Sequence, residues 1–515
     1  MAVVLGTVVA CGAPARPPGT VVMASGTDLE SANPLVTVHP LSRQLQRHAL
    51  FVTLVRLDDA LRPVPYFARR WTWAPDRRTL TLTVTRGLRW HDGTPTTARD
   101  AAFTLAAARD PALGSPRGAD LASVAAVEAP DDSTVRVRFT VAQAALPLVF
   151  AELPLVPHHL LDSVPRARWR SHPFSTAPVG NGPFRFAGRT PGRQWRFVRH
   201  DGFPALLGGP PRLRELVIAV VDESATKLAG LVSGELDVAG VSPAMAALVR
   251  RDPTLVLETP PALFSTVLAF NTTRPPFSDP RVRRAVALAI DRRRLVQAAV
   301  AGYATPAAGA IPPGLPFSPT DTPVVRRREA DALLDAAGWR RGEDGGPRRR
   351  AGRPLQLTLL TVGSGELAVE QLVQADLAAL GVEVRLRTME LGAFLAALRP
   401  PARDFDAAVT GVPGTLSLGH LAALFATSQQ GGALDYTGYH HPDLDARLAA
   451  AVAAAPESLG GAWGAVDAHL GDAMPVAWLY HARGVQGRSR TLEGVRMDLR
   501  GELATVAQWH RRDAP

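Results

Sequence analysis

Apolar and polar side chains alternate residue by residue in several short runs of the chain. Leu80, Leu82 and Val84 are spaced by threonines, and residues 135–139, 355–359 and 382–386 repeat the pattern. A period of two predicts strands with one buried face. Residues 21–25 and 216–221 are short apolar runs that predict further strands. Elsewhere the period lengthens. Val369, Leu372, Val373, Leu377 and Leu380 form one helical stripe that closes at Gly381. The segment 355–386 therefore reads strand, helix, strand with short connections, which predicts a parallel pair joined by a right-handed crossover. The fold class is α/β.

Several helices carry start signals. Thr97 and Asp100 make a capping box for a helix running through Ala108. Residues 223–234 and 329–337 predict two more helices, and 340–353, rich in glycine and arginine, a hairpin tip. The most informative stretch is 270–296, FNTTRPPFSDPRVRRAVALAIDRRRLV. It predicts a strand, a proline-rich turn and a helix with Asp279 as N-cap and Pro280 at its first position. Val282, Ala285, Val286, Ala289 and Ile290 supply its apolar stripe. Arg281, Arg283, Arg284 and Arg292 are expected to face away from the core.

At 515 residues the chain is too long for one hydrophobic core, so two or three units are expected. A hydrophobic content of 46% excludes a disordered chain, and beyond the N-terminus no apolar run is long enough to cross a bilayer. The net charge of +10 raises the question of a nucleic-acid partner. All the basic residues but Lys227 are arginine, and their clusters at 292–294, 326–328 and 348–350 lie in separate segments without interleaved aromatics. Solvated faces are the expected role, and no nucleic acid is expected.

The single cysteine, Cys11, follows the apolar run 2–10, and Pro14, Pro17 and Pro18 then make a stiff spacer. This resembles a bacterial lipobox, and it implies a diacylglyceryl anchor and a leader and linker over 1–19; a stray thiol is the alternative. Acyl chains at about 0.8 kcal/mol per buried methylene hold a protein on a membrane face without a spanning helix.

Catalytic motifs are missing: there is no G-x-S-x-G elbow, no phosphate-binding G-x-x-x-x-G-K and no H-E-x-x-H. Asp92 and Asp100 read as a turn residue and a helix-start charge rather than paired catalytic carboxylates. His158 and His159, and His440 and His441 near Asp443 and Asp445, are the candidate metal ligands. Neighbouring histidines on a strand point to opposite faces and both pairs sit at proline-marked turns, so no metal and no cofactor is expected.

Six ordered blocks together resemble the solute-binding proteins of the peptide/nickel/opine class of ABC importers, the bacterial extracellular solute-binding proteins of family 5. They are Trp90, Asp92 and Gly93 followed by Ala98, Asp100 and Phe103; the turn 180–184, GNGPF; the segment 234–237, GELD; the stretch 270–292; the turn 438–445, GYHHPDLD; and the strand 475–481, PVAWLYH. The resemblance covers nearly all of the chain after Gly19. It implies a two-lobed periplasmic-binding-protein-like fold (type II, cluster C) with an extra subdomain in the first lobe. The implied division is 20–50, 170–265 and 482–515 for the first lobe, 51–169 for the extra subdomain and 266–481 for the second lobe.

The implied function is that of a non-catalytic, lipid-anchored, monomeric receptor on the extracytoplasmic face. It closes on a small molecule or peptide between its lobes and presents it to an ABC permease. Candidate ligand-binding residues are Thr27, Phe264, Phe270, Asn271, Val412, Thr415, Trp478 and Tyr480, each near an expected crossing strand or cleft loop; core packing is the alternative role of every one. One departure stands out. In peptide-binding relatives the strand matching 405–410 leads into a segment with tryptophan and an aspartate that pairs with the ligand amine, and here 411–417 reads GVPGTLS. A buried ammonium without a carboxylate is costly. The ligand is then amine-free, blocked, or anchored by another acid; a metal chelate remains among the possible cargoes. A surface sensor of the same fold without transport, and a hydrolase, are the competing readings.

Overall fold

The computed structural model describes residues 16–315, 317–321, 323–342, 345–363, 367–432, 434–455 and 457–512. Cys11 lies outside them.

Two large sheets organise the chain. The first has seven strands, in the spatial order Leu255–Glu258, Gln486–Ser489, Val238–Gly240, Thr20–Ser25, Glu215–Val220, Gln194–Arg199 and Phe184–Thr190. The second has six, in the order Ala304–Pro306, Val476–Arg483, Pro261–Phe270, Ala407–Pro413, Gln356–Val362 and Glu383–Met389. A smaller antiparallel sheet of four strands, from Ala68–Trp73 to Thr134–Phe139, shares one continuous core with the first: Leu80, Leu82 and Val135 belong to the same buried cluster as Val21 and Leu216. The second sheet is packed on both faces by separate buried clusters. The strands Gln356–Val362 and Glu383–Met389 are parallel across the helix Ala368–Ala379, as their periodicity predicts.

The chain crosses between the sheets twice. Leu255–Glu258 of the first sheet runs on into Pro261–Phe270 of the second, and Val476–Arg483 runs back into Gln486–Ser489. The two long crossing strands are antiparallel partners, Val267 opposite Trp478. At the passage, Gly484 N donates to Pro260 O at 2.8 Å and the Arg483 guanidinium reaches Thr259 O at 2.9 Å. Both links are thus held in register where they leave one sheet for the other.

The stretch after the first crossing departs from the sequence reading in two ways. Asp279 does cap the helix Pro280–Ala289, accepting from Arg281 N, but the helix stops at Ile290. Asp291 then caps a second helix, Arg292–Val300, in place of one continuous helix. A second cap interrupts the run because its carboxylate satisfies the first free N–H groups of a new helix. The arginines also divide. Arg281 and Arg284 pair with acids at partly exposed positions. Arg283 is only 3% exposed and donates to the carbonyls of Phe277, Ala473 and Met474 at 2.6–3.0 Å. Arg292 reaches inward to Trp478 O and Ala287 O. A guanidinium is a fork of five donors, and it enters a core where helix-terminal carbonyls converge.

Other matched blocks have local structural reasons. Gly180 and Gly182 lie where an added Cβ would come within 2.2 Å of Leu50 O and 2.5 Å of Ala49 O, so only glycine allows that approach. Asn181 between them accepts from Val52 N at 2.9 Å. Asp237, buried, takes Val22 N at 2.8 Å and Arg16 at 2.8 Å, with Arg511 as a further partner.

Replacing Arg283 by alanine leaves three carbonyls without their donor and is expected to lower unfolding free energy by about 1.5–3 kcal/mol. Urea denaturation of the variant against the parent measures it, and Arg281→Ala, at an exposed position, is expected to stay within about 0.5 kcal/mol.

Candidate functional site

A cavity of about 490 Å³ lies between the two sheets. On the first-sheet side it meets Thr37, Val38 and Arg43, and the module built on the four-stranded sheet adds Pro116, Arg117 and Asp120. The second-sheet side contributes the crossing strand through Phe264 and Thr266, its partner through Tyr480, and the next strand through Thr410 and Gly411. Thr361, Glu370, Arg399, Thr415, His420 and Tyr436 complete the polar lining.

Local structure explains how these groups reach the cavity. Asp28, after the first strand, takes Trp195 Nε1 at 2.6 Å and Gly192 N at 2.9 Å, which pins the start of the loop that carries Thr37 and Val38. His39 then caps the short helix Pro40–Leu45, from which Arg43 projects. Across the cavity, an added Cβ on Gly411 would lie 2.1 Å from Phe264 Cζ, so the missing side chain lets the Phe264 ring lie over the neighbouring strand. Phe264 is 36% exposed, unusually open for a large apolar residue.

The two sides touch at one edge of the cavity through a charged latch. Glu152, on the first-sheet side, accepts from Leu416 N at 3.1 Å and Ser417 N at 3.4 Å of the second. It also pairs with Arg117 at 3.1 Å and Arg47 at 3.5 Å. Asp120 takes the Ser417 hydroxyl at 2.8 Å and pairs with Arg117 at 3.2 Å. Burial alone would raise the Glu152 carboxyl, but Arg117, Arg47 and Arg43 overcome it and hold it at about 2. Asp120 is pushed up by burial in spite of Arg117. The histidines behind this wall are neutral: burial takes His420 to about 3 and His481 to about 4. His420 Nδ1 accepts from Thr415 N at 3.3 Å, and His481 Nδ1 lies 2.8 Å from Ser265 Oγ. Ser265 and His481 are both buried and neither lines the cavity, so their pairing joins the crossing strands rather than exposing a nucleophile.

Of the eight residues expected to meet a ligand, Phe264, Thr415 and Tyr480 line the cavity. Phe270 is fully buried against Phe277, with ring centroids 4.8 Å apart. Asn271 donates to Arg403 O and Phe405 O and accepts from Thr273, which makes it a staple at the strand end. Val412 and Trp478 are buried in one of the clusters packed on the second sheet and do not line the cavity. Thr27 is exposed and braces His39 at 2.9 Å. Closeness in sequence to the crossing strands does not separate lining from core residues: Phe264 and Phe270 share one face of their strand, and the packing at each end decides its role. Arg43, Glu370, Arg399 and His420 carried no sequence signal; each lies on an element that only folding brings to the cleft.

The remaining candidates have ordinary partners. Asp92 pairs with His159 at 2.7 Å, Asp100 closes the capping box of the helix Ala98–Arg109, and His441 caps Pro442–Ala453. Among the described residues no group of three or more His, Cys, Asp or Glu side chains is placed to hold a metal ion, and no helix is long and apolar enough to cross a membrane.

Two sheets linked by a paired double crossing, with a cavity between them, define the two-lobed class of periplasmic binding proteins. The backbone matches the oligopeptide-binding protein AppA of Bacillus subtilis, solved with a nonapeptide, at a TM-score of 0.83 and 22% identity, covering 97% of this chain and 100% of that one. It matches NikZ of Campylobacter jejuni, solved with Ni(L-His), at 0.83 and 19%, covering 96% and 100%. Residues 62–429 match the model of the bacterial extracellular solute-binding proteins, family 5. The chain belongs to that family. A Brucella ovis protein named as an ABC transporter peptide-binding protein is 29% identical over 345 residues, 66% of this chain and 63% of the relative's length. The glutathione-binding protein GsiB of Shigella boydii is 28% identical over 380 residues, 72% of this chain and 70% of its own.

The neutral histidines fix the sign of a pH effect. Their folded pKa values lie below the ordinary value of about 6.5, so the stability they contribute is full above that pH and is lost as pH falls towards 4 and 3. Glu152, held below its ordinary 4.5, adds a second loss between there and about 2. Melting temperature is expected to fall steadily between pH 7 and 4, with a shallower slope in His481→Gln, as followed by circular dichroism. Removing the latch carboxylate with Glu152→Ala leaves Arg47 without its carboxylate and Arg117 with Asp120 alone, and is expected to lower stability by about 3–5 kcal/mol in chemical denaturation.

Proposed function

We propose that the protein is an extracytoplasmic receptor that binds a small solute, a peptide or peptide-like molecule, in the cavity between its lobes and delivers it to the permease of an ABC importer. The observation that carries this reading is the cavity itself, about 490 Å³ and lined from both lobes, in a chain of a solute-binding family. A ligand touching both walls binds the closed arrangement better than the open one, and that difference makes the loaded protein distinguishable to a membrane partner. Phe264, Thr415 and Tyr480 are the apolar and polar contacts proposed on the second-lobe wall. The relatives named for peptide and glutathione binding favour a peptide-like cargo. Anchoring through a diacylglyceryl group on Cys11 completes the proposal, with the protein acting as a monomer on the extracytoplasmic face of the cell membrane. No step requires a catalytic residue or cofactor.

Mass spectrometry of small molecules released on denaturing the protein, purified without its first 19 residues, tests the reading. One stoichiometric solute is expected. Failing that, a thermal-shift screen of peptides, sugars and metal chelates is expected to give one class that stabilises by about 2.7 kcal/mol at a hundred times its dissociation constant. A flat response to every class would favour a protein that binds no solute.

A further inference from the structure

The fixed charges around the cavity do not cancel, and the imbalance has a direction. On the first-lobe side Arg43, Arg117 and Asp120 line the cavity, and Arg47 and Glu152 stand behind them, so three guanidiniums face two carboxylates. Both acids are committed: Glu152 to Arg117, Arg47 and two amides of the latch, Asp120 to Arg117 and Ser417. Arg43 lines the cavity, and among the described residues no carboxylate lies within ion-pairing distance of it.

The second-lobe wall carries one charge of each sign, and neither is paired within the chain. Glu370 is 5% exposed, near the start of the helix Ala368–Ala379, and lines the same cavity. One carboxylate oxygen accepts the Thr361 hydroxyl at 2.5 Å. No cation among the described residues pairs with the group; Tyr480, its neighbour on the cavity wall, offers only a phenol. Arg399 is the other charged group on this wall. It has a buried Nε without a partner and bonds the Tyr436 hydroxyl, again with no carboxylate. A carboxylate removed from water without a cation is unfavourable by several kcal/mol, so Glu370 calls for a cation from outside the chain.

We propose that Glu370 receives a ligand ammonium and Arg43 a ligand carboxylate, with Arg399 placed for a second anionic group, so that the cargo is a dipolar amino-carboxylate. This rests on the receptor reading above. A ligand with a cationic end on one lobe and an anionic end on the other is held at both ends only when the lobes meet, so its charge separation itself favours closure. The missing acid in 411–417 is then made good from a different element, and a blocked or amine-free ligand is disfavoured.

The test uses three pools of random tripeptides: free, N-acetylated and C-amidated. Each is titrated by thermal shift against the protein and its Glu370→Gln and Arg43→Met variants. Acetylation is expected to weaken binding about tenfold or more in the parent and little in Glu370→Gln, and amidation likewise in the parent but little in Arg43→Met. Without ligand, Glu370→Gln is expected to melt at or above the parent, because it neutralises an unpaired buried charge. A lower melting temperature would make Glu370 structural and overturn the proposal, as would equal binding of free and acetylated pools. If no pool binds but a sugar or chelate does, the proposal fails and the receptor reading stands. If no solute of any class binds, both fail.

Discussion

Everything about this molecule depends on two neighbouring strands that cross between its sheets. Because Pro261–Phe270 and Val476–Arg483 are hydrogen-bonded partners, the lobes are joined by a ribbon rather than by loose tethers. A two-stranded ribbon resists stretching and shear but bends where its ladder gives way to single contacts, here around Pro260 and Gly484. The cavity lies beside the ribbon, and Phe264, Thr266 and Tyr480 come to line it from the ribbon itself.

The opposite edge is governed by electrostatics. The latch sets two buried carboxylates against two guanidiniums, Arg117 and Arg47, where the lobes meet, a costly arrangement unless every oxygen finds a donor. Glu152 meets that condition by taking two backbone amides of the facing loop as well as two arginines. The amides come from Leu416 and Ser417, in the segment whose lack of an acid stands out in the sequence. In this chain that segment is the receiving side of the latch, which gives it a physical role separate from ligand contact.

Legibility followed the range of the interactions. The capping box at Thr97, the cap at Asp279 and the parallel pair around Ala368–Ala379 follow from contacts within a few residues, and all are present as expected. The break at Ile290 is not legible in the sequence because a hydrophobic stripe passes smoothly over it, while Asp291 reads as one more surface charge. The inward turn of Arg283 and Arg292 is hidden in the same way. A guanidinium enters a core only if distant carbonyls wait for it, and Ala473, Met474 and Trp478 are almost two hundred positions away.

The sequence by itself determined the α/β class, the family and the absence of a familiar catalytic motif, since these rest on local periodicity and short ordered patterns. Tertiary structure alone decided which side chains share the cavity. Arg43, Arg117, Glu370 and Tyr480 come from four distant segments, and their meeting depends on the twist of two sheets and the angle between lobes. It also separated Phe264 from Phe270, which share one face of a regularly paired strand six residues apart, because only the packing of neighbours decides which end of that face opens on the cleft and which is covered by Phe277.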